Sequence, residues 1–268
     1  MMELFKAIAI AAGIVGGISV LIGILLGVIG RVFAVKVDER EVAVREALPG
    51  NNCGGCGYPG CDGLAKAIAA GEAPVGGCPV GGQPVADIIA GIMGVEAGTV
   101  EKKVAFVHCS GTCDKAKRAY NYYGAADCRQ AAVAPGYAGG ACSFGCFGLG
   151  SCVSVCPDEA IRVVDGVARV DSTKCGACGQ CAAVCPQHLI SIRSLSASVQ
   201  VACSSKAPGK AVKAVCDAGC IGCGICQKNC PNGAITVSDN LAHIDPALCT
   251  GCGVCATKCP VKIIHTEN

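Results

Sequence analysis

CIGCGICQKNCP, from Cys220 to Pro231, holds three cysteines at two-residue intervals followed by C-x3-C-P. Thiolates spaced this closely wrap one 4Fe-4S cube, and the last cysteine of such a run reaches a neighbouring cluster. The rest of the chain repeats, feeds or anchors this unit.

The stretch has an earlier copy. Cys142, Cys146, Cys152, Cys156, Cys175, Cys178, Cys181 and Cys185 are matched, 74 residues later, by Cys216, Cys220, Cys226, Cys230, Cys249, Cys252, Cys255 and Cys259. Eight coincidences at one offset mean two copies of one module. In the second copy the pattern predicts crossed ligation, with Cys220, Cys223, Cys226 and Cys259 on one cube and Cys249, Cys252, Cys255 and Cys230 on the other. In the first copy Cys175, Cys178, Cys181 and Cys156 form a cube by the same rule. The other cube there has Cys146, Cys152 and Cys185, but Leu149 stands where the second copy has Cys223, and Cys142 is assigned to the missing position. Between the ligand runs, IRVVDGVARVD and AITVSDNLAHID read as short β pairs with Asp-Gly and Asp-Asn at tight turns. Each copy is expected to be a two-cluster ferredoxin fold, a β-α-β pseudo-repeat with a cube at each end.

Twenty-five cysteines among 268 residues leave a disulfide scaffold or a metal protein. Disulfide-rich domains are small and secreted, whereas this chain is long and groups its cysteines as C-x2-C, which favours metal. Reduced thiolates then require a reducing compartment. A net charge of +2, 4% aromatics and no tryptophan argue against a nucleic-acid surface. With 38 glycines and short apolar runs, folding beyond the N-terminal region should depend on the clusters themselves.

Ala7 to Gly30 is 24 residues without a charge, roughly 36 Å as a helix and so able to cross a bilayer. A cleaved signal peptide would have a shorter apolar region and a small-residue cleavage site, whereas this run ends at Arg31. Gly13 with Gly17, and Gly23 with Gly27, have the G-x-x-x-G spacing that admits a neighbouring helix. Arg31, Lys36, Arg40 and Arg45 follow the span, against Lys6 alone before it, and the positive-inside rule therefore places the large C-terminal part in the cytoplasm. Lys36 to Leu48 reads as a short amphipathic linker helix or a solvated tether.

Asn52 to Pro79 carries Cys53, Cys56, Cys61 and Cys78 as C-x2-C-x4-C-x16-C. The first three can wrap a cube from a glycine-rich loop, and a helix over Gly63 to Ala70 would bring the chain back to Cys78. A four-thiolate zinc site is the structural alternative. Val85 to Gly98 reads as a small helix and loop, and Val104 to Val107 as a strand leading to His108, Cys109 and Cys113, with Cys128 beyond. After five cubes, Cys109, Cys113, Cys128, Cys203 and Cys216 remain. They suffice for a sixth cube with one thiol over, or they are plain buried thiols. His108 could tune or ligate a cluster, or face solvent as an ordinary histidine.

Thiolate-bound cubes in series carry single electrons. No glycine-rich dinucleotide fingerprint follows a strand, and there is no P-loop, Ser-His-Asp or HExxH set, so the chain is expected to conduct electrons without binding a nicotinamide itself. Lys206, Lys210 and Lys213 form a basic run that would steer an acidic redox partner, or else a solvated loop.

Together these readings predict an α+β chain: a transmembrane anchor (1–35), a four-Cys 4Fe-4S domain with its linker (36–98), a Cys-containing connecting region (99–135), and two tandem two-cluster ferredoxin-like modules (136–197 and 198–268). A single anchor, the N-C-G-G-C-G-x-P-G-C motif at Asn52 to Cys61, and tandem ferredoxin modules in this order resemble the B subunits of Rnf complexes over nearly the whole chain. The motif alone also occurs in corrinoid iron–sulfur proteins, but no segment here is long enough for a cobamide domain. The resemblance implies an electron-transfer subunit of the cell (inner) membrane, single-pass, with its iron–sulfur domains on the cytoplasmic side. It would take electrons from soluble reduced ferredoxin and relay them towards NAD+ reduction coupled to Na+ or H+ translocation, with flavins and ion movement on other subunits. The C-terminal modules, which resemble the donor and lie farthest from the anchor, should receive electrons first. The alternative is a membrane-anchored polyferredoxin serving another redox complex or a sensor.

Overall fold

The uncharged run from Ala7 to Gly30 lies within one helix, α1 (Met2–Val32). The computed structural model describes residues 2–32, 38–133 and 137–266. Gly13–Arg31, with mean hydropathy 2.4, is the one span among the described residues long and apolar enough to cross a membrane. Ile14, Leu21, Leu25 and Ile29 are all exposed on it, and the single hydroxyl in the span, Ser19, is satisfied within the helix by donating to the Val15 carbonyl at 2.8 Å. Lys36, counted with the basic residues after the span, lies outside the described residues.

The linker is a docked helix rather than a tether. Asp38 caps α2 (Glu39–Ala47) by accepting from the Arg40 amide, and Val44 and Leu48, four residues apart, are buried in the core formed with α3 (Gly60–Ala69) and α4 (Gly82–Met93). Leu64, Ile68 and Ile89 complete this core, each contributing about 1.5–3 kcal/mol on burial. Arg45 of α2 also pairs with Asp62 of α3 at 2.6 Å.

Two similar units come after this domain. The first contains β1 (Lys103–Val107), α5 (Cys128–Ala132), α6 (Ser151–Ser154), β2 (Ile161–Val164), β3 (Val167–Val170), α7 (Gln180–Val184) and β4 (Ile190–Ser194). The second contains β5 (Val199–Val201), α8 (Gly209–Val215), α9 (Ile225–Lys228), β6 (Ile235–Ser238), β7 (Leu241–Ile244), α10 (Val254–Lys258) and β8 (Ile264–Thr266). The expected β pairs form as antiparallel hairpins, β2 with β3 and β6 with β7. Their turn residues Asp165-Gly166 and Asp239-Asn240 all have positive φ, as a two-residue turn matched to strand twist requires.

The outer strands are paired across each unit, β1 with β4 and β5 with β8. Val107 lies opposite Ile190, and Val201 lies opposite Ile264. Because Ile190 and Ile264 are themselves 74 residues apart, β1 is the counterpart of β5. The connecting region expected over 99–135 therefore supplies the outer strand of the first module, and the boundary expected between 135 and 136 falls outside the described residues. The two modules differ mainly in the chain beyond these strands: 33 positions separate Cys109 from Cys142, but 13 separate Cys203 from Cys216. The first copy thus carries a 20-residue insertion, which holds Cys113, Cys128 and α5.

Candidate metal centres

The short helices α6, α7, α9 and α10 each start immediately after a glycine in the left-handed region, at Gly150, Gly179, Gly224 and Gly253. A left-handed residue at this point turns the chain sharply and without a Cβ penalty. That turn lets the incoming loop and the first turn of the helix present thiols to one point; Cys152, Cys181, Cys226 and Cys255 sit on the helices themselves.

Four cavities result, each lined by four cysteines. Cys220, Cys223, Cys226 and Cys259 line one; Cys230, Cys249, Cys252 and Cys255 line a second. In the first module Cys156, Cys175, Cys178 and Cys181 line a third. Each of these three sets crosses its module, taking three residues from one loop and helix and the fourth from the Cys-Pro end of the other. All 25 cysteines are free thiols. Three closely spaced cysteines joined by a fourth from a distant Cys-Pro form the donor set that a 4Fe-4S cube takes.

The fourth cavity has a lining different from the ligand set expected for the altered cube. It is lined by Cys146, Cys152, Cys185 and Cys128, not by Cys142. Cys128 opens α5, capped by Asp127, and its amide donates to Ser151 Oγ at 2.6 Å, which holds it beside the start of α6. Leu149 packs in the same small apolar cluster as Cys128. The insertion thus places a cysteine at the cavity where the first module has Leu149 in place of the counterpart of Cys223.

In the N-terminal domain Cys61 and Cys78 are buried, and Cys78 lies within electrostatic reach of Cys61 and Cys56. Asn52 organises the loop, its side chain accepting from the Cys61 amide at 2.8 Å. This domain meets the first module at Cys53 and Gly55: Gln180 Nε2 donates to the Cys53 carbonyl at 3.0 Å, and a Cβ on Gly55 would stand 2.8 Å from the Cys178 carbonyl oxygen.

Burial pushes the Cys152 thiol up to about 12 and those of Cys181 and Cys216 up to about 11. Uncharged thiols are the form such sites favour without metal, since a buried thiolate is costly unless ligated. Backbone amides are already aimed at several sulfurs: Ala105 donates to Cys175 at 3.4 Å, Ala160 to Cys156 at 3.3 Å, Leu189 to Cys185 at 3.5 Å and Gly81 to Cys78 at 3.4 Å. Such donors stabilise negative charge on sulfur and tune cluster potential.

His108 is neither solvent-facing nor free to ligate. Its Nδ1 donates to the Val201 carbonyl at 2.9 Å and its Nε2 accepts from Ser191 Oγ at 2.7 Å, clipping β1 to β5. Burial holds its pKa below the ordinary value, keeping it neutral in this role. Cys113 is exposed and packs on the β2–β3 turn, where a Cβ on Gly166 would come within 2.6 Å of its sulfur. Cys109, Cys142, Cys203 and Cys216 line none of the four cavities. Lys206, Lys210 and Lys213 are exposed around α8, and Lys206 pairs with Asp239 at 3.7 Å.

Comparison with known families agrees with this layout. A family described as "Putative Fe-S cluster" matches residues 48–80, and two families of 4Fe-4S dicluster domains match residues 140–186 and 219–263. The chain is 45% identical to the B subunit of the Na(+)-translocating ferredoxin:NAD(+) oxidoreductase complex of Acetobacterium woodii, over 90% of this chain and 73% of that one. It is 41% identical to the B subunit of the ion-translocating oxidoreductase complex of Methanosarcina acetivorans, over 90% of each. With the B subunit of the proton-translocating ferredoxin:NAD(+) oxidoreductase complex of Clostridium ljungdahlii the identity is 38%, over 86% and 82%. A membrane-length helix, an iron–sulfur domain and two dicluster modules, matched over most of both chains at these identities, place the chain in the family of B subunits of ion-translocating (Rnf) oxidoreductase complexes.

Proposed function

We propose that this chain is the iron–sulfur relay of a membrane-bound Rnf complex, taking electrons from reduced ferredoxin and passing them towards subunits that reduce NAD+ and translocate Na+ or H+. The observation that carries this reading is the set of four cavities, each ringed by four cysteines drawn from distant parts of its module. Cys53, Cys56, Cys61 and Cys78 would hold a fifth cluster. Bound 4Fe-4S clusters supply one-electron chemistry at potentials set by hydrogen bonds, burial and charge. The chain's own part is to ligate them, to aim amides at the sulfurs, and to keep water from Cys61, Cys152, Cys181, Cys226 and Cys255, all buried.

The second module is the proposed docking end. Cys223 and Cys252, one from each of its sets, are exposed, whereas every ligand of the first module is at least half-buried. Exposed Lys206, Lys210 and Lys213 stand beside it, and an acidic ferredoxin would be drawn there. α1 anchors the chain, and the basic residues after it favour the cytoplasmic side for the iron–sulfur domains. The names of the relatives give Na+ in one case and H+ in another.

The test is anaerobic iron and sulfide analysis of the full chain in detergent, followed by addition of reduced ferredoxin. About 20 or more iron atoms per chain, with cluster absorbance bleached by ferredoxin, are expected. Stoichiometric zinc with little iron, or iron that ferredoxin does not reduce, would overturn the reading.

A further inference from the structure

Cys109, Cys142, Cys203 and Cys216 are brought together at the seam between the modules. Cys109 follows β1 by two residues and Cys203 follows β5 by two, within the matching stretches Val107-His108-Cys109-Ser110 and Val201-Ala202-Cys203-Ser204. Cys142 and Cys216 are counterparts at the 74-residue offset. Each module therefore contributes the same two thiols.

Backbone and side-chain bonds join their neighbours. Ser204 Oγ donates to the His108 carbonyl at 3.1 Å, which sets Cys203 near Cys109. The run Lys115–Lys117 lies between the other two cysteines: the Lys117 amide donates to Val215 at 2.8 Å, the Ala141 amide donates to Lys117 at 3.0 Å, and Ala116 bridges Cys216. A Cβ on Gly111 would meet Cys216 Sγ at 3.4 Å and Cys109 Sγ at 3.7 Å, so both thiols face this glycine. Cys216 is within electrostatic reach of Cys142, Cys109 and Cys203, and Cys109 of Cys142 and Cys203. Cys109 and Cys216 are buried, and the other two are half-buried. The Cys203 sulfur already accepts from the Ser205 amide at 3.4 Å and the Cys220 amide at 3.3 Å.

We infer that Cys109, Cys142, Cys203 and Cys216 form a sixth 4Fe-4S site, shared by the two modules with two ligands from each. Four thiols gathered at one seam, with backbone amides donating to sulfur, are the donor set of a 4Fe-4S cube. The site also lies between the others. Cys146 of the Cys128-containing set is within reach of Cys109, and the Cys220 amide is bonded to Cys203. At the other end Cys53 neighbours Cys178. The seam site thus stands between the Cys146-containing and Cys220-containing sets, and the N-terminal set adjoins the Cys178-containing one. This inference deepens the relay reading and rests on it.

The test uses the full chain, purified anaerobically in detergent, with iron, sulfide and zinc analysis and Mössbauer and EPR spectra of the reduced protein. Wild type should carry about 24 iron atoms and no zinc. Cys142→Ser and Cys203→Ser, one from each module, should each lose one cluster signal, up to about four irons, or convert it to a three-iron signature, with the other signals intact. Cys113→Ser should change nothing. About 20 irons in wild type, one zinc in place of the last four irons, or unchanged spectra in both variants would overturn the sixth site while leaving the relay standing. If the variants lose all iron by misfolding, the wild-type count of 24 or 20 decides. Iron near zero in wild type would instead remove the relay reading itself.

Discussion

Single residues decide whether each sulfur ring closes. Cys128→Ser should reduce its ring to three cysteines and convert that cube to a three-iron cluster. Leu149 occupies the position that Cys223 holds in the second module, so adding Leu149→Cys to Cys128→Ser should restore the fourth iron, read by iron content and EPR. Failure of that rescue would mean that the insertion sets the geometry of the site beyond supplying a thiol. Gly148 has φ +71°, and a Cβ there would collide with the Gly166 carbonyl oxygen of the hairpin turn. Gly148→Ala should cost on the order of 1–3 kcal/mol, seen as a lower thermal midpoint with early loss of the Cys146-containing cube. The cysteines that share a cavity and lie close in sequence were legible, because a chain that turns around one point has little freedom in its spacing. The place of Cys128 at the cavity of Cys146 was not legible: it arrives through an irregular insertion, and nothing in the 18 positions from it to Cys146 marks the return.

At the scale of elements, Val104 to Val107 reads as a strand, but its pairing with β4, the strands β4, β5 and β8, and the docking of α2 do not show in the sequence. The 74-residue offset relates Cys142 to Cys216 but not Val107-His108-Cys109-Ser110 to Val201-Ala202-Cys203-Ser204, because the insertion shifts this pair to 94 residues. The repeated Val-x-Cys-Ser was the available signal. In α2, charged residues alternating with valine and alanine masked the one face, Val44 and Leu48, that is buried. Leu64, 1% exposed in that core, tests its worth: Leu64→Ala should cost about 2–5 kcal/mol, and on warming the N-terminal cluster should be lost before the others. The contact between this domain and the first module rests on close backbone approach at Gly55. Gly55→Leu should leave iron content unchanged but weaken the magnetic interaction between the two neighbouring clusters, measured by EPR at intermediate reduction.

For the molecule as a whole, the relay is expected to have an entry end and an anchored end. A chain ending at Ala197 keeps α1, the N-terminal set and both rings of the first module, while losing half of the seam site. It should remain in the membrane with about 12 iron atoms and should no longer oxidise ferredoxin. Ferredoxin oxidation undiminished by the truncation would move the docking end to the first module. The seam site, with two thiols from each copy, also says something about ancestry. A single module of this type carries only half of that ring, and two such molecules could complete it only by meeting face to face. Tandem duplication converts that encounter into an intramolecular one, raising the effective concentration of the second half. The duplicated gene would then preserve, within one polypeptide, a homodimer that once assembled around a shared cofactor.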